Sequence, residues 1–198
     1  MKTLFAGLVF GLQLFAAGQA FADASFMQTM GRTTQPVGHY DFCQRERGEC
    51  SQKTPSKAPV QLTRSLWAKI VEVNNTVNMA IEPRTDMELW GQEEVWSFPV
   101  NMKGDCEDYV LEKRRRLMKL GVPAGSLLIT VVRQPSGDGH AVLTVRSDLG
   151  EFILDNLESR VLAWHETDYT YLKRQSETNS GVWIGINDGR ADAVASVR

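Results

Sequence analysis

Three residues of the sequence have the types needed for nucleophilic catalysis: Cys106, His140 and Asp155. Cys106 opens the stretch CEDYVLEKRRRLMKLG, which has the pattern of a helix. The free N–H groups and the dipole of a helix start favour the thiolate, which is the nucleophilic form of cysteine. His140 follows the turn residues GDG, and Asp155 ends the β-rich stretch EFILD. A thiol, an imidazole base and an orienting carboxylate are the components of a Cys–His–Asp triad.

The spacing of His140 and Asp155 predicts that the two residues meet. A short turn, SDLG, joins the two predicted strands that carry them. Counting outwards from this turn puts both residues at facing ends of an antiparallel pair, where the carboxylate can orient the imidazole. His39 and His165 are alternative bases. We interpret both as structural, since His165 lies in an irregular segment with no partner strand.

Acidic residues surround the cysteine and oppose its ionisation. The charges of Asp105, Glu107 and Asp108 raise the pKa of a nearby thiol, and together they can offset a helix dipole worth about 0.3–1 kcal/mol. One interpretation is that they cap the helix, with Asp105 at the N-cap and Asp108 three residues later. The other is that their oxygens bind a hard divalent cation such as calcium, which cancels their field.

The elements that carry these residues predict an α+β fold. Apolar residues recur three and four apart in LTRSLWAKIVEVNNTVNMAI, which predicts a helix before the one that starts at Cys106. The segment DMELWGQEEVWSFPVNMKG has no clean period and is predicted to be a structured loop. The stretches SLLITVVRQ, HAVLTVRS and EFILDNL then predict an antiparallel meander, and VWIGI a further strand. The helices are expected to pack on the antiparallel sheet.

Composition favours one globular domain. The chain has 198 residues, of which 42% are hydrophobic and 23% charged, with a formal net charge of -2. Basic residues are matched by acids, and the one basic run, Lys113–Arg116, is short, so the sequence does not indicate nucleic-acid binding.

The N-terminus has the pattern of an export signal. A positive start at Lys2 precedes an apolar run that ends in small residues fitting the A-x-A cleavage rule. An uncleaved anchor is the alternative, but a span needs about 20 apolar residues, and Gln13 and Gln19 interrupt this run. We therefore predict a signal peptide over residues 1–22, a mature chain that is not inserted in the membrane, and an oxidising compartment.

Export determines the interpretation of the cysteines. Cys43 and Cys50 lie in a polar stretch and are predicted to form a local disulfide, with a metal site that includes His39 as the alternative. Residues 23–60 are rich in Gly, Thr, Gln, Pro and Ser, and are predicted to be an extended arm held by this bridge. The folded domain is expected over residues 61–198. Cys106 remains as an odd thiol.

The stretches GDCEDYVLEKRRRLMKLGVP, HAVLTV, FILDNL and VEVNNTVN carry a resemblance over roughly residues 62–186. They resemble the bacterial transglutaminase-like cysteine proteinase family. The resemblance implies a papain/transglutaminase-like fold with the triad Cys106, His140 and Asp155. It also implies calcium at Asp105 and Glu107, and Asp86 in RTDMELW is a further candidate ligand. The partners it implies are a protein substrate of the large surface adhesin type and an inner-membrane receptor, and the compartment is the periplasm.

Three functions follow from these residues. The leading one is an exported cysteine endopeptidase that depends on calcium. A transglutaminase or amidase acting on protein or cell-wall peptides would use the same thioester chemistry with a different acyl acceptor. The third is a disulfide-pinned binding module in which Cys106 is inert, since a single cysteine is often only a small buried apolar group.

Overall fold

The computed structural model describes residues 25–188 of the chain. The strands of these residues are β1 (Gln28–Thr33), β2 (Glu82–Pro83), β3 (Lys103–Gly104), β4 (Leu127–Arg133), β5 (Gly139–Ser147), β6 (Gly150–Leu154), β7 (Leu162–Ala163), β8 (Thr170–Ser176) and β9 (Asn179–Asn187). Seven of them form one antiparallel sheet with the order β1-β9-β8-β4-β5-β6-β7. The short strands β2 and β3 pair with each other in parallel. The fold class predicted from the sequence, helices on an antiparallel sheet, is confirmed.

The helices lie mainly before the long strands in the chain. They are α1 (Val37–Arg45), α2 (Arg47–Cys50), α3 (Arg64–Ala80), α4 (Asp86–Trp90) and α5 (Cys106–Lys119). Both predicted helices are present, as α3 and α5. Thr63 caps α3 by accepting a hydrogen bond from the Leu66 N–H at 3.1 Å. The short helix α4 was not predicted, because five residues are too few to establish a period.

The main core lies between the helices and one face of the sheet. Apolar side chains of α3 and α5 pack there against alternate residues of the central strands, in agreement with the two periodicities in the sequence. The buried members on the two helices and on β5 are Ile70, Val73, Val77, Tyr109, Val110, Leu111, Leu117, Ala141, Leu143 and Val145. A smaller cluster covers the other face of the sheet and includes Val132, Val142, Ile153 and Tyr171.

The segment before residue 61 differs from the extended arm predicted for it. β1 pairs with β9 and so extends the sheet at its edge, and α1 buries Phe42 and His39 in the core. Gly38 allows this contact, because a Cβ at that position would collide with the Trp96 ring. Polar composition concealed this packing, which depends on a few buried residues. Within residues 25–188, no helix is long and apolar enough to cross a membrane. The predicted signal peptide lies outside the described residues.

Candidate active site

His140 and Asp155 are in contact. Their strands pair up to Leu143 and Leu154, and continuing this register puts Asp155 two residues from the position opposite His140. Residues in that diagonal relation project from the same face of a sheet and can touch. The His140 Nε2 atom lies 2.8 Å from the Asp155 Oδ1 atom, and both side chains are buried. When Nε2–H donates to the carboxylate, Nδ1 is the ring nitrogen that can take a proton.

Hydrogen bonds keep Asp155 ionised. Burial alone would raise the pKa of its carboxyl group, but the hydrogen bond and charge of His140, the Leu157 N–H and the Tyr169 hydroxyl outweigh burial and lower the pKa. The Leu157 N–H donates to Oδ1 at 3.0 Å, and the Tyr169 hydroxyl donates to Oδ2 at 2.6 Å. Asp155 is therefore a fixed carboxylate whose orientation three donors determine.

Tyr169 is a residue that the sequence analysis missed. It contacts both members of the pair, because its ring also lies beside the His140 imidazole, with 5.6 Å between the ring centroids. No spacing in the sequence marks it, since it precedes β8 in an irregular segment. Asp155 and Tyr169 also line a cleft of about 350 Å³, which continues along Leu157, Glu158 and Arg160.

Cys106 is the first residue of α5 and is half-buried. Its sulfur interacts with the backbone N–H of Ala141, the residue after His140, so the helix start and the start of β5 adjoin. The thiol donates a hydrogen bond to the Glu107 Oε2 atom at 3.1 Å. Among the described residues, no hydrogen bond joins the thiol to the imidazole. Burial raises the pKa of the thiol well above its usual range, and the charge of Glu107 raises it further, against the effect of the Ala141 N–H.

The structure brings the three predicted metal ligands together. The carboxylates of Asp86, Asp105 and Glu107 each offer an oxygen within 4.8 Å of the others. The Oδ1 atoms of Asp86 and Asp105 are buried and accept no hydrogen bond from the described residues. No ion pair among residues 25–188 involves any of the three. Bare carboxylate oxygens without a cationic partner fit a hard divalent ion such as calcium.

The pKa shifts of these three carboxyl groups also indicate that the cluster lacks positive charge. Burial, followed by the charge of Asp105, raises the pKa of Glu107 to about 9. Burial is also the first cause of the raised pKa of Asp105 and of Asp86. A raised pKa in all three carboxyl groups is what a cluster without a counter-charge produces, and a bound cation would supply that charge.

The capping interpretation of the acids is wrong for their side chains. Asp105 occupies the N-cap position of α5 but makes no capping hydrogen bond. Asp108 accepts instead from the Ser97 N–H at 2.8 Å, across the loop that follows α4. Gly104 permits this arrangement, because a Cβ there would collide with the Asp108 carboxylate. Tertiary contacts thus take the place of local capping.

Among the described residues, neither of the other two histidines is hydrogen-bonded to this pair. His39 is buried and accepts a hydrogen bond from the Trp183 Nε1–H at 3.2 Å. It contacts the disulfide that joins Cys43 to Cys50, which uses both sulfurs and so leaves no thiolate for the alternative metal site. His165 is exposed in a single 3₁₀ turn, Trp164–Glu166.

The α+β fold, with a cysteine at the start of a helix that packs on the sheet, is the arrangement that the resemblance to transglutaminase-like cysteine proteinases implied. The chain belongs to the bacterial transglutaminase-like cysteine proteinase family, whose model matches residues 29–191. The match begins within β1 and so includes the segment that was predicted to be an arm.

Solved structures of LapG from Legionella pneumophila share this fold. One LapG structure is 23% identical, with a TM-score of 0.51, over 81% of this chain and 86% of that chain. The EGTA-treated form is 24% identical, with a TM-score of 0.51, over 81% of this chain and 89% of that chain. The calcium-bound form is 27% identical, with a TM-score of 0.49, over 55% of this chain and 64% of that chain. None of the curated proteins compared matches the chain.

Proposed function

We propose that the protein is an exported cysteine endopeptidase with Cys106 as nucleophile, His140 as general base and Asp155 as the residue that orients the base. The observation that carries the proposal is the buried hydrogen bond of 2.8 Å between His140 and Asp155, next to the strand residue whose N–H meets the thiol. This pair supplies the base and the orienting carboxylate that a thiol nucleophile requires.

In the proposed reaction, His140 Nδ1 takes the thiol proton as the sulfur attacks the substrate carbonyl carbon. The negative charge that develops on the carbonyl oxygen is stabilised by N–H groups at the start of α5, where the helix dipole also favours an anion. The imidazolium then gives its proton to the leaving amine, which departs and leaves a thioester on Cys106. Water, deprotonated by His140, hydrolyses the thioester and restores the thiol.

We propose calcium as the cation that Asp86, Asp105 and Glu107 hold. The family resemblance implies the ion, and two observations support it: the three carboxylates converge, and one oxygen each of Asp86 and Asp105 accepts no hydrogen bond from the described residues. Bound calcium would supply positive charge that cancels the field of these carboxylates beside the thiol.

The proposed location is the periplasm, after removal of residues 1–22, and the proposed substrate is a periplasmic or cell-surface protein. A large surface adhesin is the type of substrate that the resemblance implies, with an inner-membrane receptor as a regulatory partner.

The test compares surface and periplasmic proteins from cells that carry the wild-type chain or Cys106→Ala. Mapping of protein N-termini should show one or a few new termini that require Cys106, and an exposed control, His165→Ala, should leave them unchanged. Identical termini in both strains would refute an endopeptidase. New isopeptide cross-links in place of new termini would indicate acyl transfer to an amine.

A further inference from the structure

Lys113 is a buried cation that the proposed chemistry does not use. It lies on α5, its side chain is completely buried, and its Nζ atom has no hydrogen-bond partner among the described residues. The Nζ atom lies 5.9 Å from the centroid of the Tyr109 ring. An ammonium taken out of water without partners is costly, so such a group needs an explanation.

Two asparagines of α3 each have a buried amide oxygen that lacks a hydrogen-bond donor among the described residues. Asn74 donates from Nδ2 to the Ser159 carbonyl at 3.1 Å, and Asn78 donates from Nδ2 to the Asp155 carbonyl at 2.7 Å. They are one helical turn apart and hold both ends of the segment 155–159. Their Oδ1 atoms are buried and accept no hydrogen bond from the described residues.

α5, which carries Lys113, packs alongside α3. The Tyr109 hydroxyl donates to the Ile81 carbonyl, directly after α3, at 2.6 Å. Lys113 follows Tyr109 by one turn of α5, so it lies beside the last turns of α3, which carry the asparagines. Burial lowers the pKa of Lys113 to about 7, and the charge of Asp155 acts against that effect. Three ammonium hydrogens and two amide oxygens are enough partners for buried bridging water.

We propose that Lys113 is a positioning residue whose ammonium, bridged by buried water to Asn74 and Asn78, holds the segment 155–159 so that the Asp155 carboxylate stays against His140. The inference rests on the proposed function for the role of Asp155, but its structural part does not require turnover. This arrangement connects the segment 155–159 to α5, the helix that begins with Cys106.

The experiment uses Lys113→Met in the full mature chain, with Arg114→Met as the matched control. Arg114 is the next residue and is equally buried, but it pairs with Glu49 at 3.1 Å. The first readout is the proton NMR resonance of the His140 Nε2–H, assigned by its loss in His140→Gln. The second is kcat and KM on a peptide that spans the cleavage site found by terminus mapping.

We expect Lys113→Met to shift or broaden the His140 resonance and to lower kcat roughly ten- to hundredfold with little change in KM. Methionine replaces the ammonium with an apolar chain of similar length, so the change removes the proposed bridge while largely keeping the packing. Arg114→Met should melt lower and leave the resonance and kcat unchanged. Asn78→Ala should reproduce the kcat loss, and the double variant should lose no more than the larger single effect.

An unchanged resonance together with an unchanged kcat in Lys113→Met would overturn the proposal, as would equal changes in Arg114→Met. If the methionine variant does not fold, Lys113→Gln takes its place in the same measurements. Absence of any turnover by the wild type would refute the proposed function alone, because the resonance still decides whether Lys113 positions Asp155.

Discussion

The thiol of Cys106 donates its hydrogen bond to Glu107, its neighbour in the chain, with 3.1 Å between Sγ and Oε2. Glu107 is at the same time one of three carboxylates that converge without a cation partner. The nucleophile and the candidate calcium site therefore share a residue, so the state of one must affect the other.

Calcium should control activity and stability together. Chelation with EGTA should suppress turnover and lower the melting temperature. Calcium should restore both, and magnesium should do so poorly because it requires tighter octahedral geometry. An ion that binds only the folded chain stabilises it by about 2.7 kcal/mol at one hundred times its Kd. Turnover and calorimetry with and without EGTA measure this.

Glu107→Gln should weaken the calcium response, and Glu93→Gln, an exposed acid in the loop after α4, is the control. A chelator that changes neither turnover nor melting would mean that these acids hold no ion.

The orientation of Asp155 should dominate the rate. Asp155→Asn should keep the fold but lower kcat on the order of 10⁴-fold, because the amide no longer stabilises the required tautomer or the imidazolium. Tyr169→Phe removes one of three donors to the carboxylate and should lower kcat about tenfold, as expected for a hydrogen bond to a charged group. Tyr40→Phe, on an exposed side chain, is the control. Equal rates for Tyr169→Phe and wild type would remove Tyr169 from the site.

His39 should make stability depend on pH below neutrality. Burial, followed by the charge of Arg114, lowers the pKa of His39 from 6.5 to about 3. Between these pH values, His39 binds a proton in the unfolded chain but not in the folded chain. The free energy of unfolding therefore falls as the pH drops from 6.5 towards 3. The full effect is on the order of 4–5 kcal/mol.

Urea unfolding of His39→Gln over this pH range should therefore show a shallower slope than wild type, even though the variant is less stable at neutral pH. His165→Gln changes an exposed side chain and should follow the wild-type slope. Parallel curves for His39→Gln and wild type would contradict a buried, neutral His39.

The disulfide should stabilise the segment before α3. Non-reducing peptide mapping should find Cys43 joined to Cys50, with Cys106 free. Replacing both bridge cysteines with Ala should lower stability by about 2 kcal/mol, the entropy effect for a loop of this size. The same variant should keep its alkylation rate at Cys106. A resting disulfide that includes Cys106 would contradict both the bridge and the nucleophile.

The cleavage pattern of the export signal predicts where the mature chain begins. Protein purified from the periplasm should begin near Asp23 or Ser25, because the A-x-A pattern ends there. N-terminal sequencing measures this, and a chain that keeps Met1 in the membrane fraction would show an uncleaved anchor instead.

Local patterns in the sequence were sufficient for the elements that present Cys106, His140 and Asp155. The apolar period of α3 and α5 reflects burial of one face of each helix. The β-rich stretches of β4 to β6 predicted strands, and both faces of these strands are buried. The turn SDLG aligned two adjacent strands, so the approach of His140 and Asp155 followed from counting residues. The cluster of acids near Cys106 was visible because two of its members are close together in the chain.

Only the tertiary structure decided what depends on contacts between distant segments. Tyr169 reaches Asp155, Asp86 reaches the start of α5, and the polar segment before residue 61 enters the core through His39 and Phe42. No periodicity encodes these contacts, because each depends on how separate elements pack. Lys113 is the clearest example of a residue whose environment the sequence does not reveal. It lies in the basic run KRRR, which is typical of a solvated helix face. The packing of α5 against α3 and the sheet nevertheless buries it.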